Sequence, residues 1–565
     1  MGQVRVAGWQ AAPRVTLVLP EEGSMGWVDA AYWAAQLEAW GIPATRQSSA
    51  DAGGGLEATV VVVPAAAVGQ PLGDALAAAR ARGSGLLLVG RPTAAAAAIL
   101  GLRRIKPVGV HGFRLAQHRV DVRLAACLPG PDEAGRLLTE PTTSSADLAA
   151  GPAEVLARWS LTSGAKGPVA VAARPGEGGE GPAVWFGLSS DVLDWQATET
   201  AAALAETALE AAAHQGLVAL ARWPQGKPAA LVVDGDVDHP TGVDPECSRY
   251  VAAAIETARR AGFDAYGMFV AGANLDAEPW SFPAGGRYFN HSQTHPYSHW
   301  DPARWQDLDA AAITRQLRAT RATFAERLGR SDLGVFRLPH FQQEAYERTA
   351  AVLDGLGYVA ESSVAANRSV TAGLPYHPAR QGWGSRPADA AFTRTHPEPD
   401  GRHSFLQLPI STDPVHPDFP NGCCSYQTLG EGVRARTADP RDYERVLGDV
   451  VDRAVQRRNL AHLFIDPPDA GYGRMPGDRQ DYASAVERWL VGCLARDDLA
   501  VLPTDGLAQW WLAREASIAR VTAQVEDGAL VLHLRQAPPG AAVALLPPRA
   551  AGQPPSCWRT EAIDG

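Results

Sequence analysis

Two short stretches carry residues whose types and spacing fit metal-assisted hydrolysis. One is Leu231-Val232-Val233-Asp234-Gly235-Asp236-Val237-Asp238-His239, an apolar run that ends in carboxylates. The other is Tyr288-Phe289-Asn290-His291-Ser292-Gln293-Thr294-His295, a second apolar start that ends in a His-x-x-x-His pair. An apolar run leading into Asp-Gly-Asp reads as a buried strand delivering carboxylates to its C-terminal end, where barrels and open α/β sheets do their chemistry. Asp234 and Asp236 are two apart and share a face if the strand continues. His291 and His295 are i and i+4; on a helical turn both imidazoles face one side and can share a metal. Two histidines and one aspartate leave a coordination position open for water or substrate, the arrangement of a catalytic metal site. Each stretch has a bland reading too. Asp-Gly-Asp is a common turn, and histidine pairs in loops often do nothing.

The elements around these stretches alternate between strand and helix. From residue 229 to about 515, strands are predicted near Ala230-Val233, Ala265-Val270, Tyr288-Asn290, Val335-Leu338, Tyr358-Glu361, Phe405-Pro409, His462-Ile465 and Ala500-Leu502. Helices fall between several of them, at Cys247-Ala261, Ala310-Leu328 and Asp442-Gln456. Such alternation suits a (β/α) barrel. Residues 1–104 alternate in the same way. Val15-Pro20, Thr59-Pro64 and Gly85-Gly90 are buried strands, and the helix Asp29–Trp40 stops at Gly41, a C-cap signal. Apolar strands between helices imply a parallel sheet covered on both faces, flavodoxin-like or glutamine-amidotransferase-like. The turn after Gly90 is Arg91-Pro92-Thr93, without a nucleophilic cysteine or a Gly-rich phosphate loop, so this domain reads as non-catalytic.

A β-rich connector and a long Ala-rich helix over about 196–220 follow in residues 105–222. Trp223-Pro-Gln-Gly-Lys-Pro228 marks the clearest boundary before a domain spanning 228–515. Residues 516–565 read as a C-terminal β-hairpin around Glu526-Asp-Gly, followed by a tail.

A chain of 565 residues with 46% hydrophobic and 20% charged residues builds several globular cores. A net charge of −11 argues against a general binder of nucleic acid or anionic membrane. No run of about 18 apolar residues is present, so no transmembrane helix is expected. The N-terminus lacks the basic-then-apolar pattern of a signal peptide, which makes the cytoplasm the default expectation. Cys127, Cys247, Cys423, Cys424, Cys493 and Cys557 form no Cys-x-x-Cys and no zinc-knuckle spacing. The adjacent Cys423-Cys424 reads as two reduced thiols rather than a strained disulfide.

Taken together, Asp234-Gly235-Asp236, then His291-Ser292-Gln293-Thr294-His295, then Phe336-Arg337-Leu338-Pro339 resemble in order the NodB-type polysaccharide deacetylases, carbohydrate esterase family 4. That family carries Asp-Asp, then His-Ser/Thr-x-x-His, then Arg-x-Pro. Glu361-Ser362-Ser363 and Leu408-Pro409-Ile410-Ser411 fall where the family has further conserved stretches. The resemblance covers about residues 228–512 and implies a distorted (β/α) barrel. By it, Asp236, His291 and His295 bind a divalent metal, Asp234 is the base that activates water, and Arg337 orients that base. Zinc is the default for such a ligand set, and nickel, cobalt or iron suit similar ligands. The implied reaction is removal of an acetyl group from an N-acetylated carbohydrate or related small amide. Self-association is left open.

Two departures bear on the site. The family's carboxylates are adjacent, whereas Gly235 separates them here, so the division of ligand and base among Asp234, Asp236 and Asp238 stays open. The family's general acid is a histidine at the end of a late strand. Here that strand is Ala461-His462-Leu463-Phe464-Ile465-Asp466, with Asp466 at its end and His462 four residues earlier. His462 fits the motif's composition and Asp466 its position; His416 is a further loop candidate. Tyr297, Trp300, Phe341 and Trp383 are candidates for stacking on sugar rings. Two rival readings stand beside this one: another metal-dependent amidohydrolase acting on a cytosolic small molecule, and a catalytically degenerate barrel that binds or senses carbohydrate.

Overall fold

The computed structural model describes residues 2–24, 26–108, 113–115, 143–148, 154–160, 166–187, 198–237, 247–277, 282–283, 286–296, 303–339, 346–363, 374–378, 401–411, 440–465, 467, 479–549 and 558–563. Asp238, His416, Asp466, Tyr297, Trp300, Phe341 and Trp383 lie outside these residues. The chain divides into two compact units, Met1–Gly226 with Thr395–Pro399 and Leu512–Gly565, and Lys227–Arg394 with Asp400–Trp511.

In the first unit, five strands run parallel in the spatial order Ala44–Ser48, Val15–Leu19, Val60–Pro64, Gly85–Val89 and Ala183–Phe186. In chain order this is 2-1-3-4-5, an arrangement of open doubly wound sheets. The apolar runs Val60–Val63 and Leu86–Val89 are wholly buried, as a sheet covered on both faces requires. The fifth parallel strand comes from the region expected as a connector, whose Lys166–Arg174 strand extends the sheet antiparallel. The hairpin expected near the C-terminus forms between Val521–Glu526 and Ala529–Leu534. It is no free appendage: Ala529–Leu534 pairs with Gly2–Ala7. The long helix expected over 196–220 ends at Ala212. Gly216, at φ +92° and packed against Trp9, turns the chain, and Leu217–Leu220 is a strand paired with Ala542–Leu546. A short apolar run such as Leu-Val-Ala-Leu suits helix or strand equally, and here strand pairing decides.

Gly41 ends the helix Trp27–Trp40 at φ +76°. A Cβ there would lie 2.1 Å from the Leu220 carbonyl oxygen and 2.4 Å from the Arg514 guanidinium. Buried Arg514 donates to the carbonyls of Ala221 at 2.9 Å and Ala39 at 3.0 Å, so it cannot simply swing away. Gly41→Ala is expected to destabilise the chain by at least ~2 kcal/mol in urea unfolding, from left-handed backbone strain plus the clash. A loss below ~0.5 kcal/mol would mean that this corner yields freely.

The second unit is a curled, all-parallel eight-stranded sheet with helices on its outside. Its order is Leu406–Gln407, Ala360–Glu361, Val335–Phe336, Arg287–Asn290, Gly267–Val270, Ala229–Val237, Leu460–Phe464, with Leu499–Val501 also on Ala229–Val237. Ser411 brings the two edges together. Its N–H donates to the His462 carbonyl at 2.8 Å, and its hydroxyl accepts from the His462 N–H at 3.0 Å. The result is the distorted (β/α) barrel expected for this region. Alternation along Ala229–Val237 sets what faces where. Leu231, Val233 and Val237 pack outward in a cluster with Val251, Ala254, Tyr443, Leu447 and Val486 of the helices. Asp234 and Asp236 take the opposite, inner face.

Candidate active site

Arg337 joins the three motifs. It follows the two-residue strand Val335–Phe336, and its side chain is fully buried. Nη2 donates to Asp234 Oδ1 at 2.7 Å, and Nη1 donates to Asp236 Oδ1 at 2.8 Å. Nε and Nη2 donate to the carbonyl and hydroxyl of Ser362 at 2.7 and 2.9 Å. The guanidinium stacks over Phe269 at 4.0 Å and Phe464 at 4.8 Å, which favours a cation at this depth. Burial opposes the charge of Arg337, but the two carboxylates outweigh it and raise its pKa above the usual arginine value.

Asp234 is enclosed. Its Oδ2 accepts from His462 Nε2 at 2.7 Å and from the Thr504 hydroxyl at 2.9 Å, and the residue has no exposed surface. Burial pushes its carboxyl up, and Arg337 and His462 more than reverse this, holding it at about 2. Gly267 lies beside this cluster because nothing larger fits; a Cβ there would come within 2.5 Å of Phe289. Asp236 is 7% exposed, and its Oδ2 stands 3.5 Å from His291 Nε2. His291 Nδ1 is 2.9 Å from the Arg337 carbonyl oxygen. A carbonyl only accepts, so Nδ1 carries the hydrogen and the lone pair of the neutral ring is on Nε2, towards Asp236. The His295 ring lies beside that of His291, centroids 4.7 Å apart.

The turn that carries both histidines is held from several sides. Asn290 Oδ1 accepts from the Ser292 N–H, and the Ser292 hydroxyl accepts from the His295 N–H at 3.1 Å. Gln316, on the helix Ala310–Leu328, accepts from the N–H groups of Gln293 and Thr294 and donates to the Thr294 hydroxyl. Ser292 at φ +71° and His295 at φ +47° sit in the left-handed region, a cost that these bonds offset. The HSQTH segment is therefore a clamped turn rather than a helical one, and the histidines converge by that route.

Asp234, Asp236, His291, Arg337 and His462 thus meet in the barrel interior, with His295 beside His291. Asp466 falls outside the described residues. Sequence reasoning gave no role to Thr504, Ser362, Ser411 or Gln316. Ser362 and Ser411 lay in stretches that match the family. Thr504 and Gln316 carry no local signal, since each acts through a contact distant in sequence.

Among the described residues no group of three His, Cys, Asp or Glu side chains stands in the geometry of a metal cage. The donor chemistry nonetheless fits a divalent metal. A carboxylate oxygen and an imidazole lone pair face each other, and the other ring nitrogen of that histidine is fixed on a backbone carbonyl, as metal-ligating histidines usually are.

No protein-family model matches the chain, and no curated protein does. Among solved structures, the chain is similar to a protein assigned as a polysaccharide deacetylase from Mycobacterium smegmatis, at 17% identity and a TM-score of 0.35 over 51% of this chain and 91% of that one. A protein similarly assigned from Pseudomonas aeruginosa PAO1 gives 11% identity and a TM-score of 0.34 over 50% and 91%. A 4-alpha-glucanotransferase from Thermococcus litoralis gives 12% and 0.31 over 50% and 40%. Scores of this size carry no weight on function, and the chemistry rests on the site's own residues.

Proposed function

We propose that the chain is a metal-dependent hydrolase of an amide C–N bond, acting on an N-acetylated carbohydrate or a related N-acyl compound. The observation that carries this reading is the Arg337 guanidinium joining Asp234 and Asp236 while its own carbonyl fixes His291. Three motifs far apart in sequence are thereby assembled around one buried point. Asp236, His291 and His295 would hold the metal. When bound, a divalent metal makes hydroxide available near neutral pH and polarises a carbonyl.

The chain's own groups set the rest. Arg337 holds Asp236 Oδ1, which leaves Oδ2 on the His291 side. The His291 tautomer is fixed, so its lone pair is presented without reorganisation. Phe269 and Phe464 stack on Arg337, with Phe289 packed against Phe269, and these buried rings keep water from its charges.

The test is acetate release from N-acetylglucosamine oligomers by the zinc-loaded chain, with chelation as the control. Stoichiometric zinc with chelator-sensitive acetate release is expected. A chain that takes up no metal and releases no acetate refutes the proposal. The histidine turn supplies a finer test. Gln316→Ala removes the acceptor of two N–H groups without touching a donor to the metal. It should weaken zinc binding by about tenfold, as loss of outer-shell support does, while the fold persists by circular dichroism.

A further inference from the structure

We propose that Asp234 and His462 are positioning residues: together they hold Arg337, and through it Asp236, and neither exchanges a proton with substrate. The proposal rests on the hydrolytic reading above and departs from the roles of base and acid that the resemblance and the late strand suggest.

A general base needs an open lone pair facing the water it deprotonates. Asp234 keeps only one such site, on the Oδ1 held by Arg337, and it is sealed from solvent. Its two oxygens receive Arg337 Nη2, His462 Nε2 and the Thr504 hydroxyl at 2.7, 2.7 and 2.9 Å, and no part of it reaches solvent. Asp236 is the carboxylate nearer the strand's C-terminal end, with some surface exposed and one oxygen towards His291.

His462 is placed for the same task. In the sheet it is level with Val232, four residues before Asp236, which is ~13 Å of extended strand. Its side chain bridges part of that gap, but the far nitrogen, Nε2, ends on Asp234. The other nitrogen, Nδ1, is sealed from solvent and has no hydrogen-bond partner among the described residues. Among the described residues, nothing in this arrangement passes a proton from His462 to a leaving amine beyond Asp236. The backbone of His462 is locked as well, with its N–H and carbonyl both on Ser411 at the closure of the sheet. The pair therefore ties the closing edge of the barrel to the cation that organises the site.

The experiment compares His462→Gln, His462→Ala and Asp234→Asn on two substrates, an N-acetyl amide and an aryl acetate. An amine must be protonated to leave, whereas a phenolate leaves unaided, so loss of an acid slows the amide selectively. Loss of positioning slows both alike. His462→Ala is expected to lower kcat/KM for both substrates by the same factor and to weaken zinc binding by about tenfold. His462→Gln, which keeps an N–H donor for Asp234, should recover most of both losses. Asp234→Asn should retain kcat within about tenfold, against the 10²–10⁴-fold typical for removal of a base.

A His462→Gln variant that loses about a hundredfold on the amide while sparing the aryl ester overturns the proposal. So does an Asp234→Asn variant that loses about a thousandfold with zinc binding intact. If His462→Ala fails to fold, the two isosteric variants still decide. A wild-type chain inactive on both substrates and unable to take up zinc overturns the hydrolytic reading itself. An active wild type with either of the preceding results overturns only this inference.

Discussion

Replacing Arg337 by methionine is expected to destabilise the chain by ~3–5 kcal/mol at pH 7, read as a loss of chemical or thermal stability. The guanidinium is fully buried and donates to both Asp234 and Asp236. Methionine fills much of the volume but leaves two inward carboxylates without their cation. Breaking a buried pair from one side costs more than the pair is worth, because the remaining charge is uncompensated. The pH dependence separates this cause from a packing defect. In the wild type, Asp234 is held below its unfolded pKa, at about 2. Its contribution is therefore complete above about pH 4 and lost only as pH falls through about 2. Without Arg337, burial pushes the Asp234 carboxyl up with only His462 left to oppose it, so its pKa is expected to rise above the unfolded value. A group so raised favours folding when protonated, so the deficit of the variant should shrink as pH falls from 7 towards 5. A deficit that stays constant over that interval would assign the loss to packing. Arg337→Lys should fall between: it restores one charge but cannot fork to two carboxylates and Ser362 together.

The motif order made one partner of Arg337 legible, Asp234, whereas its bonds to Asp236 and Ser362 were not. An apolar run marked a strand near Ala230–Val233, and its ending in Asp-Gly-Asp was enough to put Asp234 and Asp236 on one face if the strand continued, as it does to Val237. The helices Cys247–Ala261 and Ala310–Leu328 match their predicted ends, since 3.6-residue periodicity and the C-cap Gly329 are local signals. Long-range pairing was not readable in this way. Leu217–Leu220 reads as the end of a helix until Ala542–Leu546 supplies a partner strand more than three hundred residues away. The same holds in the site. That His462 turns to Asp234 follows from the register between Leu460–Phe464 and Ala229–Val237, which no local pattern fixes. Thr504 and Gln316 belong to the same class, as side chains whose role exists only once the barrel closes.

His291→Ala is expected to lower zinc affinity on the order of a hundredfold or more, with the barrel still folded. An apparent binding energy of ~10–16 kcal/mol for a structural four-ligand zinc site corresponds to several kcal/mol per ligand, and each 1.4 kcal/mol is tenfold. His291 stands between the other candidate ligands: Nε2 lies 3.5 Å from Asp236 Oδ2, and its ring neighbours that of His295. Removing it takes away the donor whose direction is best fixed, because the Arg337 carbonyl holds its tautomer. The folding cost should be modest, one hydrogen bond of ~1 kcal/mol plus a small cavity. His377→Ala is the matched control. That ring is also buried with Nδ1 on backbone carbonyls, of His403 at 2.9 Å and Phe405 at 3.0 Å, but it belongs to none of the three motifs. Its loss should cost similar stability and leave zinc affinity unchanged, as measured by competition with a chromophoric chelator. If both variants weaken zinc equally, the effect is general loosening and His291 is not a ligand. If only His291→Ala does, affinity follows the lone pair directed at Asp236 rather than burial or stability.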